Sequence, residues 1–143
     1  MISVSIDEEL AEELLETARV AHPKAVTFLV RGKREREEGG RRLTVEDYLL
    51  PPVGWHMQYG PWYATDFSPF LLHADARLLG EARSKPDGET APSEEDLSRF
   101  TGGLLILLPS PYRLQDIHAY DSEGKPVALT ILPRSHSRKQ AKR

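Results

Sequence analysis

Hydrophobic positions change period along the chain, and those changes divide it into elements. Leu10, Leu14, Ala18 and Ala21 recur at helical spacing, with Glu9, Glu12, Glu13 and Glu16 between them. The spacing predicts an amphipathic helix over residues 6–21. Ser5-Ile-Asp-Glu8 has the form of a capping box at its start, and Pro23 lies beyond its end. Ala25-Val-Thr-Phe-Leu-Val30 is apolar and β-branched, the composition of a buried strand. The stretch from Gly32 to Gly40 reads as a charged turn, and Leu43 to Leu50 as a second strand that pairs with the first as a hairpin.

Beyond Pro51 the period is lost for a time. Pro51 to Ala64 mixes aromatics with turn residues and reads as a loop plus a strand. Arg77 to Ala82 is a short strand and Ser84 to Ala91 a polar loop. Ser93-Glu-Glu-Asp96 begins a second helix, since a serine that can cap is followed by three acids in the turn where the helix dipole favours negative charge. That helix ends near Gly102-Gly103, and three strands follow at 104–109, 113–120 and 127–132, the last two joined by the turn Asp121 to Pro126. The order implies an α+β domain with a mixed β-sheet flanked by helices.

At 143 residues the chain suffices for one domain, able to bury roughly 68–70% of the surface its unfolded form exposes. There is no internal repeat or linker, so residues 1–133 are expected to form the domain. Net charge is −3, but residues 134–143 hold five positive charges and no acid, which leaves −8 on the rest. That basic tail is expected to be a solvating terminus rather than a nucleic-acid arm, because an acidic body repels a polyanion. With no cysteine there is neither a disulfide framework nor a thiolate metal site. The longest apolar run, Leu104 to Leu108, is far shorter than a membrane span. A soluble, cytoplasmic protein without membrane contact is expected.

One run carries a specific pattern. Gly80-Glu-Ala-Arg-Ser-Lys-Pro86 through Ser93-Glu-Glu-Asp96-Leu97 resembles the motif of the JAMM/MPN (JAB) family of metal-dependent isopeptidases. In active members a His-Ser-His-Pro run is followed, seven residues after the second His, by Ser-x-x-Asp; here seven residues separate Lys85 from Ser93. Ala21-His-Pro-Lys24 and the strand after it resemble the family's first helix-to-strand junction, and Asp121 to Lys125 its last turn. The resemblance spans nearly the whole chain. It implies a single-domain JAMM/MPN-like fold, also described as cytidine-deaminase-like.

What the resemblance implies for chemistry is loss. Active members bind zinc through two His and one Asp, keep a fourth position for water, and use a glutamate as general base and a serine to hold the oxyanion. The two His positions fall on Arg83 and Lys85, and the base position on Ala25; Ser93 and Asp96 are retained. Fixed cations repel a divalent ion, and a methyl group accepts no proton. The sequence therefore predicts a pseudoenzyme without catalytic residues, metal or cofactor, with Arg83 or Lys85 pairing with Asp96 and Ser93 capping the second helix. No two of His22, His56, His73, His118 and His136 are spaced to put ligands on one face, although His56 or His73 with Asp96 could form a rearranged site. His22 is expected to act on the dipole at the first helix's end. The competing reading is a zinc-dependent isopeptidase with substituted ligands.

Members of the family without the metal motif typically serve as scaffolds, as in the proteasome lid and the signalosome. A protein partner is thus implied: a ubiquitin-like modifier, an active MPN-domain protein or a second copy. Trp55, Tyr59, Trp62 and Tyr63 are the candidate anchors, since aromatic residues concentrate at interface hot spots; core packing is the ordinary alternative for each.

Overall fold

The computed structural model describes residues 2–50, 77–99 and 103–133. Within them seven strands form one ring. These are β1 (Ile2–Asp7), β2 (Thr27–Glu37), β3 (Gly40–Leu49), β4 (Leu78–Lys85), β5 (Leu104–Pro109), β6 (His118–Asp121) and β7 (Pro126–Leu132), joined in the order β1-β3-β2-β4-β5-β6-β7 with β7 returning to β1. β1 lies parallel to both β3 and β7, β4 lies parallel to β5, and the remaining pairs are antiparallel. Helix α1 (Glu8–Ala21) follows β1, and a short helix α2 (Glu94–Arg99) precedes β5. The α+β architecture expected from the sequence is present: a mixed sheet with helices.

The chain's first strand is a correction to the sequence reading. Ser5 caps no helix; its hydroxyl accepts from Arg42 of β3 at 2.9 Å, and β1 is inserted between β3 and β7. Val4, Ile6 and the buried Ser5 alternate between the two faces of the sheet. The helix begins at Glu8, with Asp7 at the cap position making no side-chain cap bond. Leu10, Ala11, Leu14, Leu15 and Ala18 form its buried stripe and join Val4, Ile6, Phe28, Val30, Leu43, Val45, Leu104, Ile106 and Leu108 in the main core. Among the described residues no helix is long and apolar enough to cross a membrane.

The charged segment after Gly32 is likewise strand, not turn. Lys33 to Glu37 pair with Thr44 back to Gly40, and the turn itself is only Glu38-Gly39, with Gly39 at φ 85°. The backbone pairing continues past the core, where every side chain from Lys33 to Glu37 is exposed, which is why a turn-like composition forms strand. The predicted strand 113–120 is shorter: Leu114–Asp116 is a 3₁₀ turn and β6 starts at His118. The strand proposed within 51–64 lies outside the described residues.

The second face of the sheet carries Leu29 with Leu78, and Leu105 and Leu107 with Tyr120. Glu81, 1% exposed, lies on β4 opposite Leu29 and Leu105. β4 and β5 approach closely at Gly80, where an added Cβ would lie 1.9 Å from the Leu104 carbonyl oxygen. A residue with any side chain would push the two strands apart just below the cleft described next.

Candidate functional site: a cleft closed by a buried ion triad

Strand β4 alternates its side chains, so Glu81, Arg83 and Lys85 emerge on one face. Thr27 is the register partner of Arg83, which brings the segment before β2 alongside. The Val26 amide donates to Ser84 Oγ at 2.8 Å and the Ser84 amide to the Val26 carbonyl at 2.9 Å, fixing Ala25 and Val26 against β4. On the other side stands the first turn of α2. Its Asp96 amide donates to Ser93 Oγ at 3.0 Å while the Ser93 amide donates to Asp96 Oδ2 at 2.9 Å. This is a reciprocal capping box with an aspartate in the returning position. Capping by Ser93, expected from the sequence, is confirmed.

The cap aims the Asp96 carboxylate at β4. Lys85 Nζ donates to Oδ2 at 2.7 Å and Arg83 Nη1 to Oδ1 at 3.1 Å, while Arg83 Nε donates to Glu81 Oε1 at 3.0 Å. The ion pair predicted for Asp96 is thus formed, and by both cations. The Asp96 side chain is 8% exposed and those of Arg83 and Lys85 only 14% and 15%. Two carboxylates face two cations in a confined space, so each charge that desolvation penalises has a partner. Burial alone would raise the Asp96 pKa; hydrogen bonds from Lys85 and the Ser93 amide, with the charges of Lys85 and Arg83, overcome it and hold the carboxyl below its ordinary value.

Ala25, Arg83, Lys85 and Asp96 line one cleft of about 340 Å³, together with Val26, Thr27, Ser84, Pro86, Asp87 and Glu95. All the motif positions separated in sequence therefore meet, with Ser93 joined to them through Asp96. The residues present do not fit a zinc ion. Both oxygens of the retained ligand are engaged by cations, and among the described residues no three His, Asp or Glu side chains converge as a ligand set. His56, His73 and His136, and the aromatic candidates Trp55, Tyr59, Trp62 and Tyr63, lie outside the described residues. His118 is exposed on β6.

His22 stands at the C-terminal end of α1, where the sequence put it, and has a further partner. Its backbone amide closes α1 on the Ala18 carbonyl, but its ring Nδ1 lies 2.7 Å from the Tyr112 hydroxyl, and Arg19 Nη2 donates to the Tyr112 carbonyl at 2.7 Å. The end of α1 is thereby tied to the turn after β5. Burial pushes the Tyr112 hydroxyl pKa up. The residue sequence reasoning missed is Glu81. Its period-two spacing from Arg83 and Lys85 was the available signal.

No family model matches the chain. It is 31% identical over 132 residues, covering 90% of this chain and 80% of the relative, to a probable metalloprotease of Haloferax volcanii. Among solved structures it resembles one described as a JAMM metalloprotease-like zinc site in the proteasome and signalosome, at TM-score 0.62 and 23% identity over 92% of this chain and 98% of the other. It also resembles a JAB1/MPN domain protein from Archaeoglobus fulgidus, at TM-score 0.61 and 23% identity over 90% and 98%. A third, from Desulfitobacterium hafniense, matches at TM-score 0.64 and 17% identity over 94% and 96%. The fold is that of a metalloprotease-like domain. The chain belongs to the JAMM/MPN family.

Proposed function

We propose that this domain has exchanged the family's zinc ion for two side-chain cations, does not hydrolyse, and works by binding a protein partner. The observation that carries the reading is the Arg83–Asp96–Lys85 triad, in which the retained ligand's two oxygens are already neutralised. With Ala25 at the base position, no carboxylate stands there to take a proton from water. Partners in keeping with this reading are a ubiquitin-like modifier seated in the cleft, an active MPN-domain protein, or a second copy. The segment holding Trp55, Tyr59, Trp62 and Tyr63 supplies the aromatic anchors. Residues 1–133 form the binding domain, and 134–143 are a solvating tail in the cytoplasm.

The test is zinc content by elemental mass spectrometry after incubation with excess zinc and exhaustive dialysis. A ratio near zero is expected for the natural chain. The Ala25→Glu, Arg83→His, Lys85→His triple variant, which frees Asp96 and restores the His₂Asp set, should retain about one zinc per chain. Stoichiometric zinc in the natural chain, lost in Asp96→Ala, would overturn the proposal. That outcome would favour the second reading, a hydrolase with substituted ligands drawn from His56 or His73, for which the similarity to a probable metalloprotease speaks.

A further inference from the structure

At the far end of the sheet from the cleft, the β2–β3 hairpin sets Arg36 directly opposite Arg41. Like charges opposed across a strand pair are destabilising. The other cations of this hairpin have partners: Arg42 has Ser5 and Glu37, Lys33 has Glu46, and Arg34 donates to the Leu78 carbonyl. Arg36 and Arg41 have none among the described residues, and both are exposed. They border a pocket of about 410 Å³ completed by Ile2, Glu37 and Gly40. Ile2 is apolar, packs against the main core and is the register partner of Arg41, so the pocket has an apolar side beside the two arginines.

We infer that this pocket is a docking site for an acidic peptide segment of a partner protein, one carboxylate beside an apolar side chain. Two neighbouring guanidinium groups offer the forked donors that match a carboxylate, and neither has a protein acceptor among the described residues. Glu37 also borders the pocket, but its carboxylate lies 3.8 Å from Arg42 Nη1 rather than on Arg36 or Arg41. The −8 body repels every anion in proportion to its charge, so a single carboxylate is disfavoured less than a phosphate dianion or a nucleic acid. Ile2 supplies burial for the apolar neighbour, which a bare anion would not use. The site is independent of the cleft. It stands or falls whether or not the domain binds zinc.

The experiment is fluorescence polarisation with a fluorescein-labelled, end-capped peptide alternating Glu and Leu, titrated with the full chain. Saturable binding that weakens at least tenfold in the Arg36→Gln, Arg41→Gln double variant and is unchanged in Lys33→Gln is expected. The same peptide with Gln for Glu should bind at least tenfold more weakly. Thermal melting of the double variant guards against misfolding: relief of the opposed charges should leave its Tm unchanged or raise it by about 1–2 °C. No saturable binding, equal binding by the double variant, or a Tm fall of several degrees would overturn the inference. So would displacement of the peptide by inorganic phosphate, or by a single-stranded oligonucleotide of matched charge, at lower concentration than by unlabelled peptide.

Discussion

The two ends of the sheet use arginine in opposite ways. Arg83 is mostly buried, bonded to Glu81 and Asp96, and flanked by a lysine that shares the same carboxylate. Arg36 and Arg41 are exposed and face each other. Charge in the cleft is spent on holding α2 against β4, whereas charge at the hairpin tip is available to something outside the chain. A cation's sequence context alone does not distinguish these cases; what distinguishes them is whether a carboxylate reaches it.

That contrast can be broken most forcefully at Asp96. Asp96→Ala strands Arg83 and Lys85 beside each other and removes half of the cap on α2, so it should cost about 3–5 kcal/mol. The loss should appear in urea unfolding as a lower midpoint with an unchanged slope. A loss under about 1 kcal/mol would mean that the triad is solvated and the cleft as adaptable as the hairpin tip. Acid is a milder version of the same change. The Asp96 carboxyl titrates below its ordinary value near 3.8, so its charged form is favoured by folding. Its contribution is complete above that value and is lost as pH falls through the lower folded one. Melting curves between pH 5 and pH 2, to be recorded in about half-unit steps, should therefore fall more steeply for the natural chain than for Asp96→Asn.

Smaller effects sharpen the comparison. Ser93→Ala removes the acceptor of the Asp96 amide but leaves the ion triad, and should cost about 1 kcal/mol. If its cost equals that of Asp96→Ala, the cap rather than the cations secures α2. At the hairpin, Arg41→Gln should lie within about 0.5 kcal/mol of the natural stability and on the stabilising side. Chemical denaturation run in parallel with Asp96→Ala would place the two regions on one scale.

Much of this was legible in the sequence because it rests on local rules. Ser93 and Asp96 satisfy the same spacing whether read as a helix cap or as a family motif, and both readings put the carboxylate at the first turn of α2. The pairing of Asp96 with Arg83 and Lys85 followed from the cost of leaving a buried carboxylate alone. What failed were features fixed by distant partners. Ser5 to Glu8 looks like a capping box until β3 and β7 claim β1 from either side, and those strands lie far along the chain. The charges from Lys33 to Glu38 look like a loop because strand composition is usually read from apolar residues; here the hairpin runs past the core, and the backbone pairs while the charged side chains stay in water. Glu81 escaped notice because a single acid in an apolar strand has no local motif, only a place in a period of two. The Arg36–Arg41 opposition could not be seen before the register was known.

The closure of the ring through β1 and β7 bears on how the protein is made. Val4 has Leu43 on one side and Leu129 on the other, although nearly the whole chain separates Val4 from Leu129. A nascent chain emerging from the ribosome can form α1 and the β2–β3 hairpin early, since those contacts are local. β1 keeps one unsatisfied edge until β7, the last of the described strands, has been synthesised. Closing so long a loop is slow, which makes the newly released chain, rather than the native one, the form most exposed to strand pairing with its neighbours.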